Sequence, residues 1–263
     1  MVERITSAQN PKIKQLLALQ QKSSLRRETG LFVVEGRREI RHCIDAGFEI
    51  DSVFFCPDVC PQEEATAGLA AGTKVFEVDG KVYAKAAYRE GTEGMMAEVK
   101  TREMKLEDLA LKENPLIAVL ESVEKPGNLG AVLRSADAAG VDAVIICDPL
   151  TDLFNPNLIR ASIGAIFTVP TVCCSSQEAV AWLKENKIKI FTAQLQDSHW
   201  YYDTDLKQGS AIVMGTESTG LSNVWREAAD AHIKIPMLGE LDSLNVSVSA
   251  AILLFEAVRQ RNG

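Results

Sequence analysis

The chain has 263 residues, 46% of them apolar and 24% charged, with a formal net charge of −8. That length holds one large domain or two of ordinary size, and the composition is that of a water-soluble globular protein with a sizeable core. The acidic balance excludes a protein that coats nucleic acid indiscriminately, since phosphate contacts require local positive charge. No stretch approaches the ~18 apolar residues of a membrane span, and "MVERITSAQNPKIKQ" lacks the apolar run of a secretory signal. A cytoplasmic protein that makes no membrane contact is expected.

The N-terminal segment departs from the average. Residues 1–41 carry nine basic against four acidic side chains, a net of +5 that leaves −13 for the remainder. Lys12, Lys14, Arg26, Arg27 and Arg37 are candidate contacts to a polyanion, although a solvated helix face accounts for the charge equally well. Pro11 opens a helix whose apolar side is Ile13, Leu16, Leu17 and Leu19, and Gly30 ends the segment. "LFVVEG" then reads as a strand, "RREIRHCIDAG" as a helix stopped by Gly47, and "IDSVFFC" and "KVFEV" as strands. This alternation predicts a small α/β domain over residues 1–100. Cys43, Cys56, Cys60, Cys147, Cys173 and Cys174 lack framework spacing and are read as reduced thiols. Cys56 and Cys60 have no second cysteine pair nearby, and no metal is expected. His42, His199 and His232 sit in no recognisable hydrolase motif.

Residues 101–114, "TREMKLEDLALKEN", are charged and are read as a linker. A second alternation fills 115–263. "LIAVLES", "DAVIIC", "KIKIFTAQ", "SAIVMG" and "HIKIPM" are strands, "GNLGAVLRSADAAG" is loop and helix, "SQEAVAWLKEN" is a helix, and a long helix runs from Val246 to Val258. Apolar strands separated by helices predict a mainly parallel sheet covered on both faces, with ligands bound outside the carboxyl ends of its strands. The loops that follow "LIAVLESV", "AIVMG" and "IKIPM" are rich in Gly, Ser, Asn or acid, and they should emerge together. Neither a dinucleotide fingerprint nor a P-loop is present in the first of them. Before the last helix, Asp242, Ser243 and Asn245 surround Leu244. One is enough for an N-cap, and three at a positive helix end can equally form a pocket wall. Local sequence leaves both readings open.

"KPGNLGAVLRSADAAGV", "AIVMGTESTGLS" and "IKIPMLGELDSLNVSVSAAILLFEAV", in this order, resemble the three motifs of the SpoU/TrmH family of SPOUT RNA methyltransferases. "SAQNPKIKQLLAL" with "LFVVEGRREI" resembles the small L30e-like RNA-recognition domain often found in front. The resemblance implies an α/β fold with a deep C-terminal trefoil knot, a homodimer, S-adenosylmethionine as cofactor and methylation of a ribose 2′-OH in rRNA or tRNA. Carried over by position, the cofactor contacts fall at Gly215, Ile235 and Leu244, with Met237 and Thr192 beside them. The active-site polar groups fall at Asn128, Arg134, Glu217, Ser243 and Asn245. Arg134 is the base usually assigned in the family; a guanidinium normally stays protonated, so it is expected to contact the 2′-OH or its phosphate while the base stays open.

"FNPNLIRASIGAIF" is similar to a further family segment, with Arg160, Ser162 and Gly164 in register and Arg160 as an RNA contact. Asn157 stands where lysine is frequent, and Thr216 and Ser218 also depart from the usual residues. Ile252, Phe255 and Val258 of the last helix are candidates for a dimer face or for core. The competing readings are an inactive RNA-binding module of the same fold and a Rossmann-type nucleotide enzyme, the latter disfavoured by the missing glycine fingerprint.

Overall fold

The computed structural model describes residues 2–88, 93–216 and 219–263. The chain divides into two compact units, Met1–Arg102 with Asp152–Phe167, and Glu103–Thr151 with Thr168–Gly263. Residues 152–167, which in sequence lie inside the second α/β segment, thus belong to the first unit. Residues of the expected linker are not free either, since Leu106 is buried and Met104, Leu109 and Leu111 pack against the core of the second unit.

The first unit contains β1 (Glu3–Ile5), α1 (Pro11–Gln21), α2 (Ser23–Thr29), β2 (Leu31–Glu35), α3 (Arg37–Asp45), β3 (Ile50–Phe55), α4 (Gln62–Thr66), β4 (Lys74–Val78), α5 (Gly80–Ala86) and β5 (Met95–Lys100). Its sheet has the order β1-β4-β3-β5-β2, with β5 antiparallel to both of its neighbours. The start of α1 is set locally. Asn10 Oδ1 accepts the Lys12 amide at 2.9 Å and Pro11 occupies the first helical turn, while Ile13, Leu16 and Leu19 are buried.

The chain breaks at Lys22 between α1 and α2, which strands the last carbonyls of α1. Arg26 serves them. Its guanidinium donates to the carbonyls of Leu19 and Gln20, and its Nε donates to the Asp152 carboxylate at 2.6 Å. Only 3% of the residue is exposed, so Arg26 is a structural cation rather than the RNA contact expected from sequence. The same region holds Phe154 stacked on Phe32, with ring centroids 4.2 Å apart, and Phe167 edge-on to Phe48 at 5.3 Å. Replacing Arg26 by alanine takes the counter-ion from the Asp152 carboxylate, which among the described residues keeps only the Phe154 amide, and leaves two buried carbonyls without this donor. The expected cost is about 3 kcal/mol, to be read as a lowered urea midpoint at unchanged slope.

The second unit begins with β6 (Leu116–Glu121), α6 (Pro126–Ala138) and β7 (Ala143–Cys147). The chain then enters the first unit through α7 (Pro156–Ser162) and reaches α8 (Ala165–Thr168). It resumes with β8 (Thr171–Cys174), α9 (Ser176–Glu185), β9 (Lys189–Ala193), β10 (His199–Trp200), β11 (Ser210–Met214), α10 (Asn223–Ala228), β12 (Ala231–Lys234) and α11 (Val246–Asn262). The sheet order is β10-β12-β9-β11-β6-β7-β8, and every pairing is parallel.

Every residue of β6, β7 and β11 is buried, as apolar runs in a doubly covered parallel sheet require. Ala179 and Leu183 of α9 and Trp225 of α10 pack on one set of strand side chains, while α11 packs on β6, β11 and α6. The C-terminus of α11 is fastened by Arg261, which donates to the carbonyls of Asn114, Pro115, Leu206 and Gln208. Because all strands point one way, the loops after β6, β11 and β12 leave the sheet at one edge. No helix among the described residues is long and apolar enough to cross a membrane.

Candidate active site

The first loop bends at Ser122, whose φ is +52°, and enters α6 through Pro126. Asn128 lies in the first turn. Leu129, Gly130, Val132, Leu133 and Ala136 are the buried side of this helix, whereas Arg134 is exposed and forms no ion pair or side-chain hydrogen bond with another described residue. Arg134 follows Asn128 by six residues, about one and two-thirds turns.

The second loop folds back on its own origin. A Cβ on Gly215 would lie 2.4 Å from the backbone of Gly220 and 2.7 Å from the Leu221 nitrogen, so only glycine is accommodated without displacing the main chain. Gly220 donates its amide to the Thr216 carbonyl at 3.1 Å, and the two residues form an isolated bridge. Thr216 Oγ1 lies 2.7 Å from Thr219 Oγ1 and accepts the Thr219 amide at 3.1 Å. Glu217 lies outside the described residues.

The third loop, residues 235–244, makes no backbone–backbone hydrogen bond to another described residue. Ile235 and Met237 are half-buried, while Leu238, Leu241 and Leu244 are 97%, 77% and 37% exposed. Asn245 resolves the question of the polar segment before α11, because it does two things at once. Its Oδ1 caps the helix, accepting the Ser247 amide at 2.9 Å and the Ser247 hydroxyl at 2.6 Å. Its Nδ2 donates to Asn128 Oδ1 at 3.2 Å, joining the first loop to the third. Ser243 is exposed, with its hydroxyl 3.3 Å from the Asp242 carboxylate.

Thr192 is fully buried, and its hydroxyl is 2.6 Å from His232 Nδ1 across the β9–β12 pair. That hydroxyl is committed within the sheet rather than presented at its edge, contrary to the expectation for a cofactor contact.

A third loop with apolar side chains, together with a second loop that closes on a glycine admitting no Cβ, suits a flat, partly apolar cofactor. These features fit the adenosine of S-adenosylmethionine, with Gly215, Ile235, Met237 and Leu244 available to hold it. Among the described residues no cluster of three or more His, Cys, Asp or Glu is arranged to hold a metal.

Residues 115–255 match the model of the SpoU rRNA Methylase family, and residues 10–97 match the MRM3-like substrate binding domain. The 23S rRNA (guanosine-2′-O-)-methyltransferase RlmB of Vibrio cholerae is 39% identical over 199 residues, 73% of this chain and 81% of that protein. The chain belongs to the SpoU rRNA methylase family. Similarity extends over almost the whole length in the 23S rRNA (guanosine(2553)-2′-O)-methyltransferase RlmP of Bacillus subtilis, 28% identical over 97% of this chain and 98% of that protein. The crystal structure of the AdoMet-bound rRNA methyltransferase from Sinorhizobium meliloti superposes with a TM-score of 0.90 at 31% identity, covering 98% of each chain.

Within this SpoU family chain, the first unit sorts its cations by partner. Arg37, expected at an RNA surface, is occupied by structure: it donates to the Glu64 carboxylate at 2.6 Å and to the carbonyls of Glu93 and Val59. The hydrogen bond to Glu64 also holds its guanidinium charged beyond its ordinary range. Lys12 lies over the Phe76 ring at 4.2 Å. Lys14, Arg27 and Arg160 are exposed and pair with no described residue.

In α7, Asn157 Oδ1 accepts from the Tyr88 hydroxyl at 3.1 Å. The SpoU segment around Arg160 also has a packing reason for its glycine. Gly164 has φ +87°, and a Cβ there would meet the His42 ring at 2.8 Å. Sequence reasoning missed Glu121, the buried last residue of β6, which bonds the far end of the second loop. A lone acid at the end of an apolar strand was the only available signal.

Proposed function

We propose that this protein transfers a methyl group from S-adenosylmethionine to a ribose 2′-OH of ribosomal RNA. The observation that carries the reading is the convergence of three loops at one sheet edge, tied by the Asn128–Asn245 bond, in a chain whose residues 115–255 match the SpoU family. With that family goes the expected trefoil knot. Ribosomal RNA is favoured over tRNA because the RlmB and RlmP relatives are named for 23S rRNA.

The bound cofactor supplies an electrophilic methyl carbon on a sulfonium. The chain's own part is placement, since in-line displacement gains most from holding acceptor and donor at near-contact distance. Gly215, Ile235, Met237 and Leu244 hold the adenosine side through main-chain groups and apolar contact. Asn128, Ser243 and Asn245 face the ribose. Arg134, exposed and unpaired among the described residues, remains a cation and orients the 2′-OH or its neighbouring phosphate. Glu217 completes the proposed set of polar active-site groups. The RNA is gripped by Lys12, Lys14, Arg27 and Arg160. Thr192 works only indirectly, through His232.

The working form is a homodimer. Val248 and Phe255 of α11 are each 46% exposed and lie with half-buried Ile252 on one helical stripe, an apolar face suited to a second copy. Phe255→Glu is expected to give a monomer by light scattering with its circular dichroism unchanged.

The deciding experiment incubates the protein with methyl-labelled S-adenosylmethionine and rRNA or pre-ribosomal particles from a strain lacking its gene, then maps nuclease-resistant 2′-O-methyl dinucleotides. Label at one rRNA position supports the reading. Cofactor binding without label on rRNA or particles overturns the proposed substrate, and absent cofactor binding leaves the inactive RNA-binding module.

A further inference from the structure

Glu121 belongs to none of the groups assigned above, yet it is 6% exposed at the end of β6 and each of its carboxylate oxygens lies within hydrogen-bond distance of another element. Oε2 accepts the Ser222 amide at 2.8 Å, a bond spanning 101 residues of sequence. Oε1 lies 3.2 Å from Ser176 Oγ. Ser176 Oγ in turn accepts from Trp225 Nε1 at 2.9 Å and donates to the Asp148 carboxylate at 2.6 Å. One side chain thus connects the ends of β6 and β7 with the starts of α9 and α10. A buried carboxylate is costly unless hydrogen-bonded, so the Ser222 amide is a partner that Glu121 does not readily give up.

The Ser222 bond matters most, because of where it acts. The second loop leaves β11 after Met214, paired in register with Leu120 of β6, and runs from Gly215 to Ser222. Its near end is closed by the Thr216–Gly220 bridge, and its far end is held by the residue next to Leu120. We infer that Glu121 is a positioning residue for methyl transfer, tethering Ser222 so that Gly220 and Leu221 stay closed on Gly215, where it meets the cofactor. It touches neither cofactor nor RNA and acts only through the loop. The inference rests on the cofactor reading proposed above.

The carboxylate is needed for shape rather than charge, and that makes the test discriminating. Glutamine presents a carbonyl to the Ser222 amide and an amide to Ser176 Oγ, whose hydrogen goes to the nearer Asp148. Glu121→Gln should therefore replace the native residue, while Glu121→Ala should not. Trp225→Phe removes a different bond of the same network and leaves the tether intact.

Hydrogen exchange of the ligand-free protein reads the tether itself. Exchange across 215–224 should rise at least tenfold in Glu121→Ala and stay within about threefold of wild type in Glu121→Gln and Trp225→Phe. Calorimetric titration with S-adenosylmethionine should follow the same pattern, with Kd at least tenfold weaker only in Glu121→Ala. Ser222→Pro, whose φ of −68° suits proline, deletes the amide alone and takes the place of the alanine variant if that fails to fold. Unchanged loop exchange in Glu121→Ala or Ser222→Pro overturns the tether. Equal weakening of binding in Trp225→Phe overturns the specific role in favour of general stability. A wild-type protein that binds no cofactor sinks the cofactor reading instead, with the exchange result still standing.

Discussion

Arg134→Ala is expected to lower the rate of methyl transfer about a thousandfold, roughly 4 kcal/mol of transition-state stabilisation, while leaving the fold and the affinity for S-adenosylmethionine unchanged. The side chain is exposed on α6, opposite the buried Leu129, Val132 and Leu133, and makes no bond to another described residue. Deleting it therefore opens no cavity and strands no partner among them. Stability should move within about 0.5 kcal/mol, as for other surface substitutions. Arg134→Lys should recover little, since a point charge does not reproduce the planar fork that reads a phosphate or hydroxyl in two places. Single-turnover methylation with saturating cofactor, set beside thermal unfolding, separates the cases. A variant that loses activity together with several degrees of stability would show that Arg134 is structural.

Gly215→Ala is expected to weaken cofactor binding by at least tenfold with only a modest loss of global stability. One methyl group at this position would enter the backbone of Gly220 and Leu221, closer than real Cβ contacts occur. The strand cannot yield, because Met214 is paired with β6 and the preceding residues of β11 are paired with both β6 and β9. The loop must give way instead, breaking the Gly220 amide bond to Thr216. Cofactor affinity by calorimetry reports the displaced loop directly. Affinity equal to wild type would mean that the cofactor does not depend on the loop's native path, and would remove Gly215 from the site.

Strands β6, β7, β9, β11 and β12 of the second unit and the entries of α1 and α11 were legible in sequence because their causes are local, whereas β8 and β10 were not read as strands. "LIAVLE", "AVIIC" and "SAIVM" are apolar except for the terminal Glu121 and Ser210, and lie buried on both faces of the sheet. Asn10 before Pro11, and Gly30 at φ +64°, perform the capping that their residue types favour. The ambiguous segment was Ser243–Asn245, where local sequence allowed a cap or a pocket wall. Asn245 is the cap and at the same time the bond to Asn128, 117 residues away.

What sequence by itself determined was the alternation of strands and helices, the placement of three polar loops after strand ends, and a family resemblance carried by those loops. Tertiary structure alone decided β5, where "MMAEVK" is composed of good helix formers and becomes a strand because β2 and β3 bond it on both sides. It also decided which arginines are available to RNA. Arg26 and Arg27 are adjacent and identical in type, yet one is buried against Asp152, 126 residues distant, and the other is exposed. The physical reason is common to both. Propensity and capping depend on neighbours within a turn, whereas strand pairing and charge satisfaction depend on partners that only the folded chain brings within hydrogen-bond distance.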